Sequence, residues 1–165
     1  MIFVTVGTHE QPFNRLVKYI DGLKRDNIIT EDVIMQIGYS TYEPKYCTWK
    51  KLFPYQKMLE LVNTARIVIT HGGPSSFIMA IQSGKTPIVV PRQARFGEHV
   101  NDHQVTFCKE VERRMGTIVV VEDIENLKNV IEGYEQIKSR YKSSSNNAKF
   151  CERFEIIVED LFASK

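Results

Sequence analysis

Apolar residues along this chain follow two spacings. Short unbroken runs at Ile2 to Val6, Val33 to Ile37, Ile67 to Thr70, Pro87 to Val90 and Thr117 to Val121 read as strands buried on both faces. Between them the spacing lengthens. Pro12 to Lys24 carries Phe13, Leu16, Val17 and Ile20 at i, i+3, i+4 and i+7, the stripe of an amphipathic helix. Tyr55 to Thr64, Ser75 to Ser83 and Glu98 to Arg113 read as further helices, and Glu122-Asp123 opens another through Leu127, Val130 and Ile131. A short strand falls within Tyr46 to Phe53, and Gln93 to Gly97 is a loop. Gly133 onward is polar, with a linker-like break at Ser143 to Asn147. A terminal helix from Ala148 to Phe162 follows, marked by Phe150, Phe154, Ile157, Val158 and Leu161.

Alternating strands and helices predict an α/β fold, a doubly wound and mostly parallel sheet of Rossmann-like type. At 165 residues the chain reads as one domain, residues 1–165. Ligands bind at the carboxyl ends of the strands in such sheets. Gly7, Gly38 and the pair Gly72-Gly73 all fall at that end.

The most informative stretch is Ile67 to Gln104. A strand runs into His71-Gly72-Gly73-Pro74-Ser75-Ser76, with Pro74 suited to a first helical turn. Glycines allow close backbone approach, and a helix N-terminus favours negative charge, so this turn suits a phosphate. Met79 stands where the first glycine of a P-loop ending at Gly84-Lys85-Thr86 belongs, so Gly84 reads as a helix C-terminal glycine. His99 and His103 have helical i, i+4 spacing, but Val100 occupies the position where a metalloprotease carries Glu, and no metal is expected. Glu98, His103 and Gln104 face the same crevice from the next helix. A carboxylate there can bind a vicinal diol, and an amide a sugar hydroxyl or phosphate. Arg92 and Arg95 flank that loop and can balance a diphosphate. His9, on the loop after the first strand, is a candidate general base. Tyr39, Tyr42 and Tyr55 can wall an aromatic base.

The formal net charge of +2 is too small to imply nucleic acid. Three widely spaced cysteines, Cys47, Cys108 and Cys151, read as reduced thiols of a cytosolic protein. Met1-Ile2-Phe3-Val4 enters directly into a core strand, so no leader is expected. No apolar run approaches the roughly 20 residues that span a bilayer. Membrane contact is therefore expected to be peripheral or borrowed from a partner.

Phe3-Val4-Thr5-Val6-Gly7-Thr8 with Pro12-Phe13-x-x-Leu16-Val17 resembles the opening of the cytosolic catalytic subunit of the two-part UDP-GlcNAc transferase of dolichol-linked oligosaccharide synthesis. Gln36-Ile37-Gly38, Thr70 to Ser76, Pro87 to Arg92 and Glu98-x-x-x-Asp102-His103-Gln104 continue the match. The series is most similar to the PssE-like galactosyltransferase subunits of capsule and exopolysaccharide synthesis. It corresponds to the C-terminal, donor-binding half of a GT-B enzyme of glycosyltransferase family 28.

The resemblance implies a UDP-sugar donor, with a diphosphate on Gly72 to Ser76, uracil beside Phe53 to Tyr55, and the donor sugar near His103-Gln104. It implies inverting, cofactor-free transfer of a hexose, galactose first, to a lipid-linked acceptor. A membrane-anchored partner subunit would hold the chain at the inner face of the membrane, with residues 148–165 as a candidate docking helix. The alternative is a non-catalytic UDP-sugar-binding subunit. An epimerase needs a second domain, and Gly7 to Pro12 lacks the GxGxxG of a dinucleotide oxidoreductase. One position departs from the relatives, which carry a ribose-binding acid about where Met79 stands. Either Glu98 or Gln82 substitutes, or the register shifts by a turn.

Overall fold

A computed structural model describes residues 1–141. The expected helix at Ala148 to Phe162, and Cys151 with it, lies outside the described residues.

Six parallel strands form one sheet: β1 (Ile2–Thr5), β2 (Val33–Gln36), β3 (Thr48–Lys50), β4 (Ile67–His71), β5 (Ile88–Val90) and β6 (Val119–Val120). Their order is β3-β2-β1-β4-β5-β6, with the direction of winding reversing between β1 and β4. Helices α1 (Asn14–Arg25), α2 (Tyr55–Thr64), α3 (Pro74–Gln82), α4 (His103–Met115), α5 (Leu127–Glu132) and α6 (Tyr134–Lys138) complete the described chain. The doubly wound α/β fold expected from the sequence is therefore the fold observed.

Period-2 alternation divides each central strand between two layers. Ile2, Val4, Ile67, Ile69, Ile88 and Val90 face α1 and α5, whereas Phe3 and Val68 face α2 and α3. Phe77 and Cys108 cover Val89 on that second side. At the carboxyl ends Thr5 is level with both Gln36 and Thr70, which makes a polar row across the crevice floor.

Two boundaries differ from the expected ones. The fourth helix begins at His103 and not at Glu98, because Glu98 turns inward and Asp102 Oδ1 accepts the Ala94 N–H at 2.8 Å. Asp102 then stands at the N-cap of the helix, its carbonyl accepting the Val105 and Thr106 N–H groups. The polar stretch after Gly133 holds α6, anchored by the buried Tyr134 hydroxyl donating to the Thr86 carbonyl at 2.8 Å. Gly84 takes φ +70 after α3, and Lys85 Nζ donates to the Ala65 carbonyl, so that turn serves packing alone.

The loop between β2 and β3 hangs on one buried carboxylate. Asp21 accepts from the Tyr42 hydroxyl at 2.7 Å and from the Lys45 and Tyr46 N–H groups at 2.9 and 2.8 Å. Burial alone would raise its pKa; these donors outweigh burial and hold it below 3.8. The stabilisation is therefore present above about pH 3.8 and is lost as pH falls through the lower folded value. Asp21→Asn, which turns an amide donor toward donors, should cost about 1–3 kcal/mol in urea denaturation at neutral pH. Its deficit should shrink as both proteins approach pH 3.

Candidate functional site

The loops after β1, β3 and β4 and the start of α4 enclose a crevice of about 560 Å³. Of the residues expected there, Gly7, Thr8, His9, Tyr55, His71, Gly73, Ser75, Ser76 and Gln104 line it. Gly72 and Pro74 lie in the same turn, with Pro74 the first residue of α3. Gly38 lines a neighbouring hollow beside Tyr39, and exposed His103 stands on the rim.

His71 is the centre of the site. Its ring is buried at 7% exposure, and Nδ1 has no hydrogen-bond partner among the described residues. The ring fits because two neighbours lack side chains. A Cβ on Gly7 would lie 2.4 Å from its Cε1, and one on Gly73 would lie 2.2 Å from Nε2. Gly7 also has φ +74, a conformation that side chains disfavour. Burial, then the charge of Arg92, pushes the His71 pKa down to about 4, against an opposing effect of the Thr5 carbonyl. At neutral pH it is an uncharged ring.

Gln104, also buried, accepts the Arg92 N–H at 3.2 Å through Oε1, which turns its amide donors to the crevice. The α3 N-terminus carries no side-chain cap and no acid in its first turn. Its partial positive charge, worth up to about 2 kcal/mol to a well-placed anion, is left for a ligand.

Arg92 does not reach that ligand. It is fully buried, and its guanidinium donates to the carbonyls of Val6 at 3.0 Å, Gln11 at 2.7 Å and Glu98 at 3.2 Å. Burial lowers its pKa to about 10, which leaves it cationic. Glu98 does not reach the ligand either. Its carboxylate forms a two-pronged pair with Arg15 at 2.9 Å and accepts the Gln93 N–H at 3.1 Å. Both guanidinium groups lie against Phe13, at 5.3 Å for Arg15 and 4.8 Å for Arg92. One carboxylate thus stands between two guanidinium groups, and a net positive charge is sealed beneath the crevice floor.

These placements correct two expectations. Arg92 is a structural clamp and not a direct phosphate contact, and Glu98 is consumed by Arg15 and cannot hold a ribose. Gln82 ends α3, far from its N-terminus, and Met79 packs against the second core layer. No described carboxylate lines the crevice.

His9, His99 and His103 gather on the rim with ring centroids 5.1 and 5.4 Å apart. Burial, then Arg92 and His99, lowers the His9 pKa. Its Nδ1 accepts the Gln11 N–H at 3.1 Å, so in the neutral ring the proton sits on Nε2.

Gln36 escaped the sequence reading as a site residue. It accepts the Phe53 N–H at 2.8 Å and donates to Thr5 Oγ1 at 3.2 Å, tying the Leu52-Phe53 wall to the Gly7 turn. Its place in the Gln36-Ile37-Gly38 motif was the available signal.

The profile of the glycosyltransferase family 28 C-terminal domain matches residues 1–161. No curated protein sequence matches the chain. Among solved structures, the glycotransferase of kitacinnamycin superposes with a TM-score of 0.62 at 15% identity, covering 84% of this chain and 36% of that one. SnogD, a glycosyltransferase from Streptomyces nogalater, gives 0.51 at 16% identity over 92% of this chain and 42% of its own. CalG4, the calicheamicin glycosyltransferase, gives 0.56 at 13% identity over 84% and 35%. This chain spans less than half the length of each, and the likeness is one of fold.

The buried neutral His71 makes stability depend on pH. Unfolded histidine titrates near 6.5, so stabilisation is complete above that value and falls as pH drops toward about 4. At about 1.4 kcal/mol per pH unit the loss totals about 3 kcal/mol. His71→Asn should remove this limb, read as the difference in urea midpoints between pH 7 and pH 4.5.

Proposed function

The chain belongs to the glycosyltransferase family 28 C-terminal domain family, and from that premise we propose that its crevice binds the UDP moiety of a UDP-hexose, galactose first. One observation carries the proposal. An uncapped helix N-terminus, a neutral buried histidine ring, and the amide of Gln104 converge on one crevice above a sealed positive charge.

In this reading the diphosphate rests on Gly73, Ser75 and Ser76, with His71 and Gln104 as further contacts. Uracil lies against Leu52, Phe53 and Tyr55. With no carboxylate at hand, the ribose hydroxyls meet neutral groups, which fits a register shifted by one turn toward Ser75 and Ser76.

Transfer is inverting. An acceptor hydroxyl attacks the anomeric carbon from the face opposite the nucleotide, and the bond from that carbon to the β-phosphate oxygen breaks. Charge grows on the departing UDP, where fixed dipoles and the Arg92–Glu98–Arg15 cluster stabilise it without reorganising. The acceptor proton needs a base. With Nδ1 accepting the Gln11 N–H, His9 presents Nε2–H, so it serves as base only after releasing that N–H, and in this tautomer it can offer the leaving group a hydrogen bond but not a proton. That observation favours a base supplied by a second polypeptide that also binds the lipid-linked acceptor. A membrane-anchored subunit of capsule or exopolysaccharide synthesis fits this need. The rival, a non-catalytic UDP-sugar-binding subunit, shares the crevice and differs in where turnover originates.

Calorimetric titration should show UDP and UDP-galactose binding with equal strength in buffer and in chelator. Gly73→Ala, which forces His71 from its place, should weaken UDP at least tenfold, about 1.4 kcal/mol. No UDP binding by the folded chain would overturn the reading. In UDP-release assays with acceptor membranes, a His9→Ala protein that keeps full turnover removes His9 from the chemistry. Turnover that follows only the second polypeptide's residues favours the rival.

A further inference from the structure

The corner formed by the end of the β2–β3 loop, β3, the β3–α2 loop and the first turn of α2 carries a charge pattern the crevice does not use. Residues 45–57 contain Lys45, Lys50, Lys51 and Lys57 and no acid, while the whole chain carries only +2. The positive excess is therefore local. All four lysines are exposed. Of these four lysines, among the described residues, only Lys57 has a carboxylate partner, Glu60; Glu43 shares a hollow with Lys51, and Asp21, buried behind the corner, is taken up by the Tyr42 hydroxyl and the Lys45 and Tyr46 N–H groups.

The same corner exposes apolar surface. Tyr39 is 55% exposed, Leu52 49% and Tyr55 63%, large values for side chains of this kind. Trp49 and Phe53, half-buried, line a hollow of about 410 Å³ together with Lys50 and Lys57. Lys50 Nζ lies 6.0 Å from the Phe53 ring centroid, so cation and aromatic surfaces interleave. Aromatic rings and lysines mixed on one face suit the headgroup layer of a bilayer, where rings sit at the polar boundary and ammonium groups meet lipid phosphates.

We propose that this corner binds anionic lipid headgroups directly, without a protein intermediary. Charge complementarity selects the occupant. Each lysine near an anionic leaflet adds to the attraction, so three or four convert a marginal aromatic contact into measurable binding. A neutral protein groove would leave these ammonium groups unmatched. Leu52 and Tyr55 also line the crevice, so docking here holds the crevice mouth at the headgroup level. The consequence for a lipid-linked acceptor rests on the function proposed above; lipid binding itself does not, and is read with no nucleotide present.

The test uses the full chain with vesicles of phosphatidylcholine alone or with about one-third phosphatidylglycerol. Sedimentation with the anionic vesicles should exceed that with the neutral ones at least tenfold and should fall as salt rises, as screening requires. The chain holds a single tryptophan, Trp49, inside the corner, so its emission should shift to the blue on binding. Lys50→Glu/Lys51→Glu/Lys57→Glu should lose at least tenfold of the lipid binding. Its UDP titration should match the parent, since none of the three lines the crevice. Should that variant not fold, Lys50→Ala/Lys51→Ala with the parent's salt series and Trp49 shift decides the matter. No preference for anionic vesicles, binding with Trp49 emission unchanged, binding retained by the charge variant, or a corner that captures a membrane protein but ignores lipid would each overturn the proposal.

Discussion

The site depends on a guanidinium group that no ligand touches. Arg92 lies in the interior, where an uncompensated charge is costly, and it persists there because backbone carbonyls of the loop after β1 and of its own loop accept its protons. Those bonds tie the loop after β1 to the loop after β5. Its neighbour Glu98, already held by Arg15, completes the seal. The same contacts that close the interior thus hold two walls of the crevice in register.

A charge held this way acts through low-dielectric protein and is screened less than one on the surface. Burial is the larger influence on both histidines, and this charge adds to it in keeping His71 neutral and lowering the pKa of His9. The groups that face the crevice are consequently uncharged hydrogen-bonding groups set over a fixed positive field. Such a surface favours an anion without the flexible cations that would need to be reorganised during a reaction. Gly7 and Gly73 matter because they leave the volume into which the His71 ring fits.

The outer corner at β3 follows a different logic. Its lysines and most of its rings stay at the surface, where water and salt screen them, and the corner borders the crevice through Leu52, Phe53 and Tyr55. One set of residues is organised by burial and the other by exposure, and the β3–α2 loop belongs to both.

Much of this was legible in the chain itself. Strand runs, helical stripes and the His71-Gly72-Gly73-Pro74 turn are local patterns, and backbone geometry answers to them locally, so the sheet and the place of its crevice followed from sequence. The direction of polar side chains is a different matter. Arg92 and Glu98 read as ligand contacts because nothing nearby in sequence showed that Arg15, 83 residues before Glu98, would take the carboxylate. A charged side chain turns inward or outward according to partners brought close by folding. For that reason periodicity determined the architecture and the phosphate-suited turn, whereas only the tertiary structure decided which charges face the crevice and which are sealed beneath it.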